Sequence, residues 1–199
     1  MIMLLSAEKC LSVTVLFFLL SVRAALQGEN TIFVSNLLKT KASPSDIKNL
    51  TSITYLGEFY GYAGHYTVPA QHNSDFENHI YTWFQPCGDC EDETKAPLLL
   101  WLQGGPGGPG WFGAFAELGN WYIGGNTSDA EPHKRCFSWC AKNNCLFVDQ
   151  PVNTGFSFQT DRKTGQPVKD VNKVDYTSTS KSAMSQTLLV LLQFYKAFP

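Results

Sequence analysis

The chain has 199 residues, enough for one ordinary domain or for part of a larger one. Hydrophobic residues make up 44% and charged residues 16%, which excludes intrinsic disorder and supplies material for a real core. The formal net charge of −2, with no basic run longer than two residues, argues against nucleic acid as a partner.

At the N-terminus Lys9 precedes an apolar segment from Cys10 to Val22, and Val22 with Ala24 meets the small-residue rule for cleavage. Residues 1–24 therefore read as a secretory signal peptide. The apolar segment is shorter than the ~20 residues a spanning helix needs, so no stable membrane insertion is expected after cleavage; an uncleaved anchor helix is the alternative.

A secreted or lysosomal lumen permits disulfides. Five cysteines follow the leader, Cys87, Cys90, Cys136, Cys140 and Cys145, and an odd number leaves at least one thiol free or paired elsewhere. Cys87-Gly-Asp-Cys90 has the spacing of redox and zinc motifs, but the acidic Glu91-Asp92-Glu93 behind it favours a disulfide-bearing surface loop. Cys136, Cys140 and Cys145 with His133 form a competing zinc set that an oxidising lumen disfavours. Neither a metal nor another cofactor is expected.

Residues 25–50 form a polar N-terminal segment in which Ser45 and Asp46, ahead of Ile47, give a weak helix-start signal. Asn49-Leu50-Thr51 and Asn126-Thr127-Ser128 are glycosylation sequons, both expected on surface loops.

The folded body is expected over 51–199. Aromatic and β-branched residues two apart around glycines, from Tyr55 to Val68, predict a twisted strand with a bulge, with His65 exposed. The alternating run His79 to Pro86 predicts its antiparallel partner. Leu98 to Leu102, fenced by Pro97 and glycine, reads as a buried central strand of a parallel sheet. Asn120 to Ser128 reads as a loop. Asn144 to Asp149 reads as another buried strand, closed by Pro151. Asp175 to Phe198 predicts a helix whose core stripe is Met184, Leu188, Leu191, Tyr195 and Phe198, widened by Val190 and Phe194.

Between the strand at 98–102 and renewed helical periodicity at Trp111, Phe112, Phe115 and Leu118 runs a stretch dense in glycine and proline. Gly104 and Gly105 lack a Cβ, so their N–H groups are able to approach a substrate oxygen closely. An oxyanion hole needs that geometry, and the strand tip is where open α/β sheets place ligands. A flexible linker is argued against by the apolar fences on both sides. A phosphate loop is argued against by the missing G-x-G-x-x-G and G-K-[ST] patterns. A tight turn with no ligand stays open on residue types alone.

The run WLQGGPGG, continued as F-G-x-F-x-E-x-G, resembles the serine carboxypeptidases, especially the vitellogenic-like and retinoid-inducible branches. A second stretch, NCLFVDQPVNTGFSF, is similar to the same family, with Asn153 where its pattern has glycine. The resemblance implies an α/β class, the N-terminal part of an α/β-hydrolase fold: a mixed, mostly parallel sheet with flanking helices, incomplete at Pro199. It implies a peptide substrate with a free C-terminus. Gly105, supported by Gly104, would donate to the oxyanion, while Trp101, Gln103 and Glu117 would surround the terminal carboxylate. Gln103 supplies a neutral donor. Glu117 helps only when protonated, because touching carboxylates repel until one takes a proton.

A nucleophile is harder to find. Gly155-Phe156-Ser157-Phe158-Gln159 lacks the second glycine of G-x-S-x-G and opens no helix, so Ser157 reads as a wall of the site or a buried hydroxyl. The catalytic Ser, Asp and His are expected beyond Pro199. Two other functions stay open: an acyltransferase of the same fold, and a non-catalytic homologue that binds a partner.

Overall fold

The computed structural model describes residues 31–55, 57–71, 73, 75–105, 107–124, 131–169, 174 and 177–199. The expected leader at 1–24 and the sequon at Asn126 lie outside them, as do Asp175 and Tyr176.

Two short helices come first, α1 (Val34–Lys39) and α2 (Pro44–Thr51). The cap of α2 is Ser43 rather than Ser45: its hydroxyl accepts from Asp46 N–H, Asp46 reaches back to Ser43 N–H, and Pro44 opens the first turn. This region is more than a polar lead-in, because Val34 and Ile47 are fully buried. Asn49 is exposed on α2, a helix and not a loop, and Thr51 of its sequon is buried against the Ile47 carbonyl.

Strands β1 (Ser52–Tyr55), β2 (Glu58–Pro69) and β3 (Phe76–Gln85) then form an antiparallel meander. The expected irregularity appears as a register shift between Ile53 and Thr54, opposite Gly61 and Phe59. After β4 (Leu98–Leu102) comes α3, an α-helical turn at Gly110–Phe112 that widens into a π turn at Gly113–Glu117. The predicted loop at 120–128 is in part a strand: β5 (Trp121–Gly124) pairs with β6 (Glu131–Lys134). Trp121, Tyr122 and Ile123 are strong strand formers, and they outweigh the neighbouring Asn and Gly. Strands β7 (Asn144–Val148) and β8 (Phe158–Asp161) and helix α4 (Ser180–Ala197) complete the described chain.

The main sheet runs β1-β2-β3-β7-β4, with β8 pairing the first half of β3. It is mixed, as expected, but within the described residues it is mostly antiparallel; β4 with β7 is the parallel pair. Short turns join β1 to β2 and β2 to β3, which only antiparallel pairing allows, whereas β4 reaches β7 through a long crossover.

The predicted central strand, β4, stands at the end of this order and is half-buried throughout. Its continuous apolar run reflects two covered faces. Leu98, Leu100 and Leu102 pack toward one cluster with Ile80, Phe84, Leu146, Val190 and Phe194. Leu99 and Trp101 pack toward a second with Trp83, Phe115, Leu118 and Phe147. Helices α1, α2 and α4 thus cover one face of the sheet, and α3 with the β5–β6 hairpin covers the other.

Two further expectations are corrected. Helix α4 starts at a Thr179–Ser182 capping box and buries Gln186, Thr187, Val190, Phe194 and Ala197. Met184, Leu188 and Tyr195 of the predicted core stripe are exposed instead. Apolar residues occupy more than one side of this helix, so periodicity alone does not select the buried side. His65 is not exposed either: its ring lies 5.2 Å from both Tyr81 and Phe158.

Cys87 pairs with Cys90 after β3, in the expected loop, and Cys140 pairs with Cys145, which withdraws two thiolates from the zinc alternative. Cys136 is the odd thiol and is exposed.

Candidate functional site

The site is built at the carboxyl tips of β4 and β7, which the parallel pairing Leu102 to Val148 holds level. Past Leu102 the chain turns sharply. Gly105 takes φ +131°, a conformation closed to side-chain-bearing residues at ordinary cost, and the Gly108 N–H donates to the Gly104 carbonyl at 3.1 Å. Gly104 and Gly105 are both exposed, and neither N–H donates to another described backbone carbonyl.

The loop re-enters α3 at Gly110, and the π turn carries Glu117 back toward Gln103. Trp101 Nε1–H donates to Gln103 Oε1 at 2.7 Å, and Gln103 Nε2 faces Glu117 Oε1 at 3.4 Å. The indole bond fixes which end of the Gln103 amide is which: its oxygen is taken, so its N–H₂ points outward to Glu117. Gly113 makes room for this relay, since a Cβ there would strike Trp101 Nε1 and crowd Gln103 Oε1. Trp101 also meets Trp139 edge to face, with centroids 6.5 Å apart.

The structure therefore brings Trp101, Gln103 and Glu117 into one hydrogen-bonded line beside the exposed Gly104-Gly105 turn. A hollow of about 330 Å³ lies elsewhere, between Gln150-Pro151 and the start of α4, and none of the five predicted site residues lines it. Within the predicted site, Gly104, Gly105 and Glu117 are exposed and Trp101 and Gln103 half-buried.

Ser157 is 4% exposed; its hydroxyl donates to the Asp149 carbonyl at 2.6 Å and accepts from Tyr81 N–H at 2.8 Å. It is a buried structural hydroxyl, as its sequence context suggested. What the sequence reading passed over is Asp149, 1% exposed at the tip of β7. A carboxylate directly after the apolar run Cys145 to Val148 was the available signal. Among the described residues, no group of three or more His, Cys, Asp or Glu side chains is placed to hold a metal ion.

The family model for serine carboxypeptidases matches residues 53–199. The chain belongs to the serine carboxypeptidase family. It is 34% identical over 178 residues to vitellogenic carboxypeptidase of Aedes aegypti, covering 89% of this chain and 33% of that protein. It is 36% identical over 152 residues to the human probable serine carboxypeptidase CPVL, covering 74% and 28%. A crystal structure of Kex1(delta)p, a prohormone-processing carboxypeptidase from Saccharomyces cerevisiae, superposes with a TM-score of 0.50 at 25% identity, over 70% of this chain and 29% of that one. The chain thus spans about a third or less of the length of these family members. No helix among the described residues is long and apolar enough to cross a membrane.

Proposed function

We propose that this chain carries the substrate-carboxylate and oxyanion side of a serine-type carboxypeptidase, acting on peptides with a free C-terminus. The observation that carries the reading is the relay Trp101–Gln103–Glu117 beside the two exposed glycines Gly104 and Gly105. Gln103 Nε2–H donates to one oxygen of the terminal carboxylate, and protonated Glu117 donates to the other. Gly105 N–H, next to Gly104, then lies where an acyl oxygen gains charge, and a fixed donor there favours the tetrahedral state over the planar one.

The nucleophile is not Ser157, whose hydroxyl is engaged on both sides. A secreted or lysosomal lumen is supported by the leader pattern at 1–24, the sequons at Asn49 and Asn126 and the two disulfides.

Calorimetric titration with hippuryl-phenylalanine, between pH 5 and pH 8, tests the reading. Binding is expected to weaken from pH 5 to pH 8 in the wild-type protein and to change little across that range in the Glu117→Gln protein. Affinity equal across that range and unchanged by Glu117→Gln would refute a bond from Glu117 to the terminal carboxylate.

A further inference from the structure

Asp149 has no role in either core cluster and makes no ion pair with any described residue. Burial pushes its carboxyl up to about 7, against the opposing pull of backbone donors. A carboxylate this deep is tolerated only when its oxygens are satisfied. Oδ1 accepts from Gly110 N–H at 2.6 Å and from Trp111 N–H at 3.4 Å, and Oδ2 accepts from Phe156 N–H at 2.9 Å. All three donors are main-chain groups, and they belong to two different turns.

The arrangement has a mechanical consequence. Val148 pairs with Leu102, the residue on which the glycine loop departs, and the next residue, Asp149, holds Gly110, the residue on which the loop returns. One rigid strand end therefore grips both feet of the loop at 103–109. Asp149 is itself fixed, because its carbonyl accepts from Ser157 Oγ and its N–H donates to the Tyr81 carbonyl at 3.0 Å. Gly155, at φ +56°, lies against Oδ2 with no room for a Cβ.

We propose that Asp149 is a positioning residue: it ties the start of α3 to the 150–157 turn and thereby sets the direction in which Gly104 and Gly105 present their N–H groups. The effect on peptide binding rests on the function proposed above; the tie itself does not.

The test uses the whole 199-residue chain, labelled with ¹⁵N, and the variant Asp149→Asn, which keeps the size and turns an N–H₂ toward one of the donors. The reporter is Gly108 N–H, which bonds the Gly104 carbonyl and does not touch Asp149. Its hydrogen exchange should accelerate at least tenfold, while β2–β3 amides stay within twofold and the Gly110 amide proton moves upfield. A general loss of stability would accelerate the ladder in parallel, and that pattern overturns the proposal. So does Gly108 exchange within twofold of wild type. Should Asp149→Asn fail to fold, Gly155→Ala presses on Oδ2 with the carboxylate kept, and the same two outcomes apply.

Hippuryl-phenylalanine affinity should fall at least fivefold in the variant; equal affinity overturns the positioning role. If the wild-type chain binds no dipeptide, the proposed function fails, and Gly108 exchange alone decides the tie.

Discussion

Under the glycine loop a carboxyl is buried among backbone N–H groups; between β2, β3 and β8, two imidazoles are buried among hydroxyls and rings. His79 bonds Thr67 Oγ1 at 3.0 Å and Thr160 Oγ1 at 2.8 Å, and its ring lies 4.9 Å from both Phe33 and Phe158. His65 Nε2 lies 2.9 Å from the Phe156 carbonyl, which only a protonated Nε2 satisfies; its Nδ1 is buried with no partner among the described residues. Burial pushes both imidazoles down to about 4 and Asp149 up to about 7. Each region favours the uncharged form of its group, so the two respond to pH in opposite directions. They also share a residue, since Phe156 gives its N–H to Asp149 and its carbonyl to His65.

The largest way to break this comparison is Asp149→Ala. Leaving the Gly110 and Phe156 N–H groups buried without an acceptor should cost about 3 kcal/mol in urea unfolding at pH 5; a loss below about 1 kcal/mol would show those donors finding water. Next is Gly113→Ala, whose methyl displaces Trp101 and breaks the relay to Gln103. Dipeptide affinity should drop about tenfold, roughly 1.4 kcal/mol, and unchanged titration would separate the relay from binding.

The pH dependence sharpens the contrast. Asp149 is raised above its ordinary 3.8, so its contribution to stability is full below that value and is lost as pH rises through 7. His65 and His79 are lowered from 6.5, so theirs is full above 6.5 and is lost as pH falls through 4. His65→Phe should cost about 1 kcal/mol at pH 7, where the bond to Phe156 is lost, yet exceed wild type in stability at pH 4. Thermal melts at the two pH values check the crossing, and parallel curves would show that His65 does not drive the acid limb. The smallest effect is expected at Glu117, the exposed carboxyl of the site: Glu117→Gln should change stability by less than about 0.5 kcal/mol while altering the pH dependence of binding.

Local patterns carried part of this structure plainly. Alternation announced β2 and β3, the apolar run announced β7, and the strand–glycine–helix grammar of 97–119 marked Gly104 and Gly105, while the family resemblance added Trp101, Gln103 and Glu117. Where several residues offer the same signal, local pattern does not decide among them. The start signal at Ser45 and Asp46 belongs to a helix that Ser43 caps, and of the predicted stripe Val190 and Phe194 are buried while Met184, Leu188 and Tyr195 are exposed. The pattern leaves His65 exposed because nothing in its own strand reveals Phe33 and Phe158 packing over it.

By itself, then, the sequence determined the strands β2, β3, β4 and β7 and the helix α4, the cysteine surplus, and a glycine turn following a Trp and a Gln. These follow from backbone preferences and side-chain periods within a few residues, which no distant contact needs to supply. Only the tertiary structure decided that β4 ends the described sheet order, which flank of α4 is covered, and that Asp149 reaches Gly110 across 39 positions of chain. A periodic pattern states how much surface a segment is able to bury. The neighbour that buries it, and the charge that burial suppresses, depend on groups that meet only after the chain has folded.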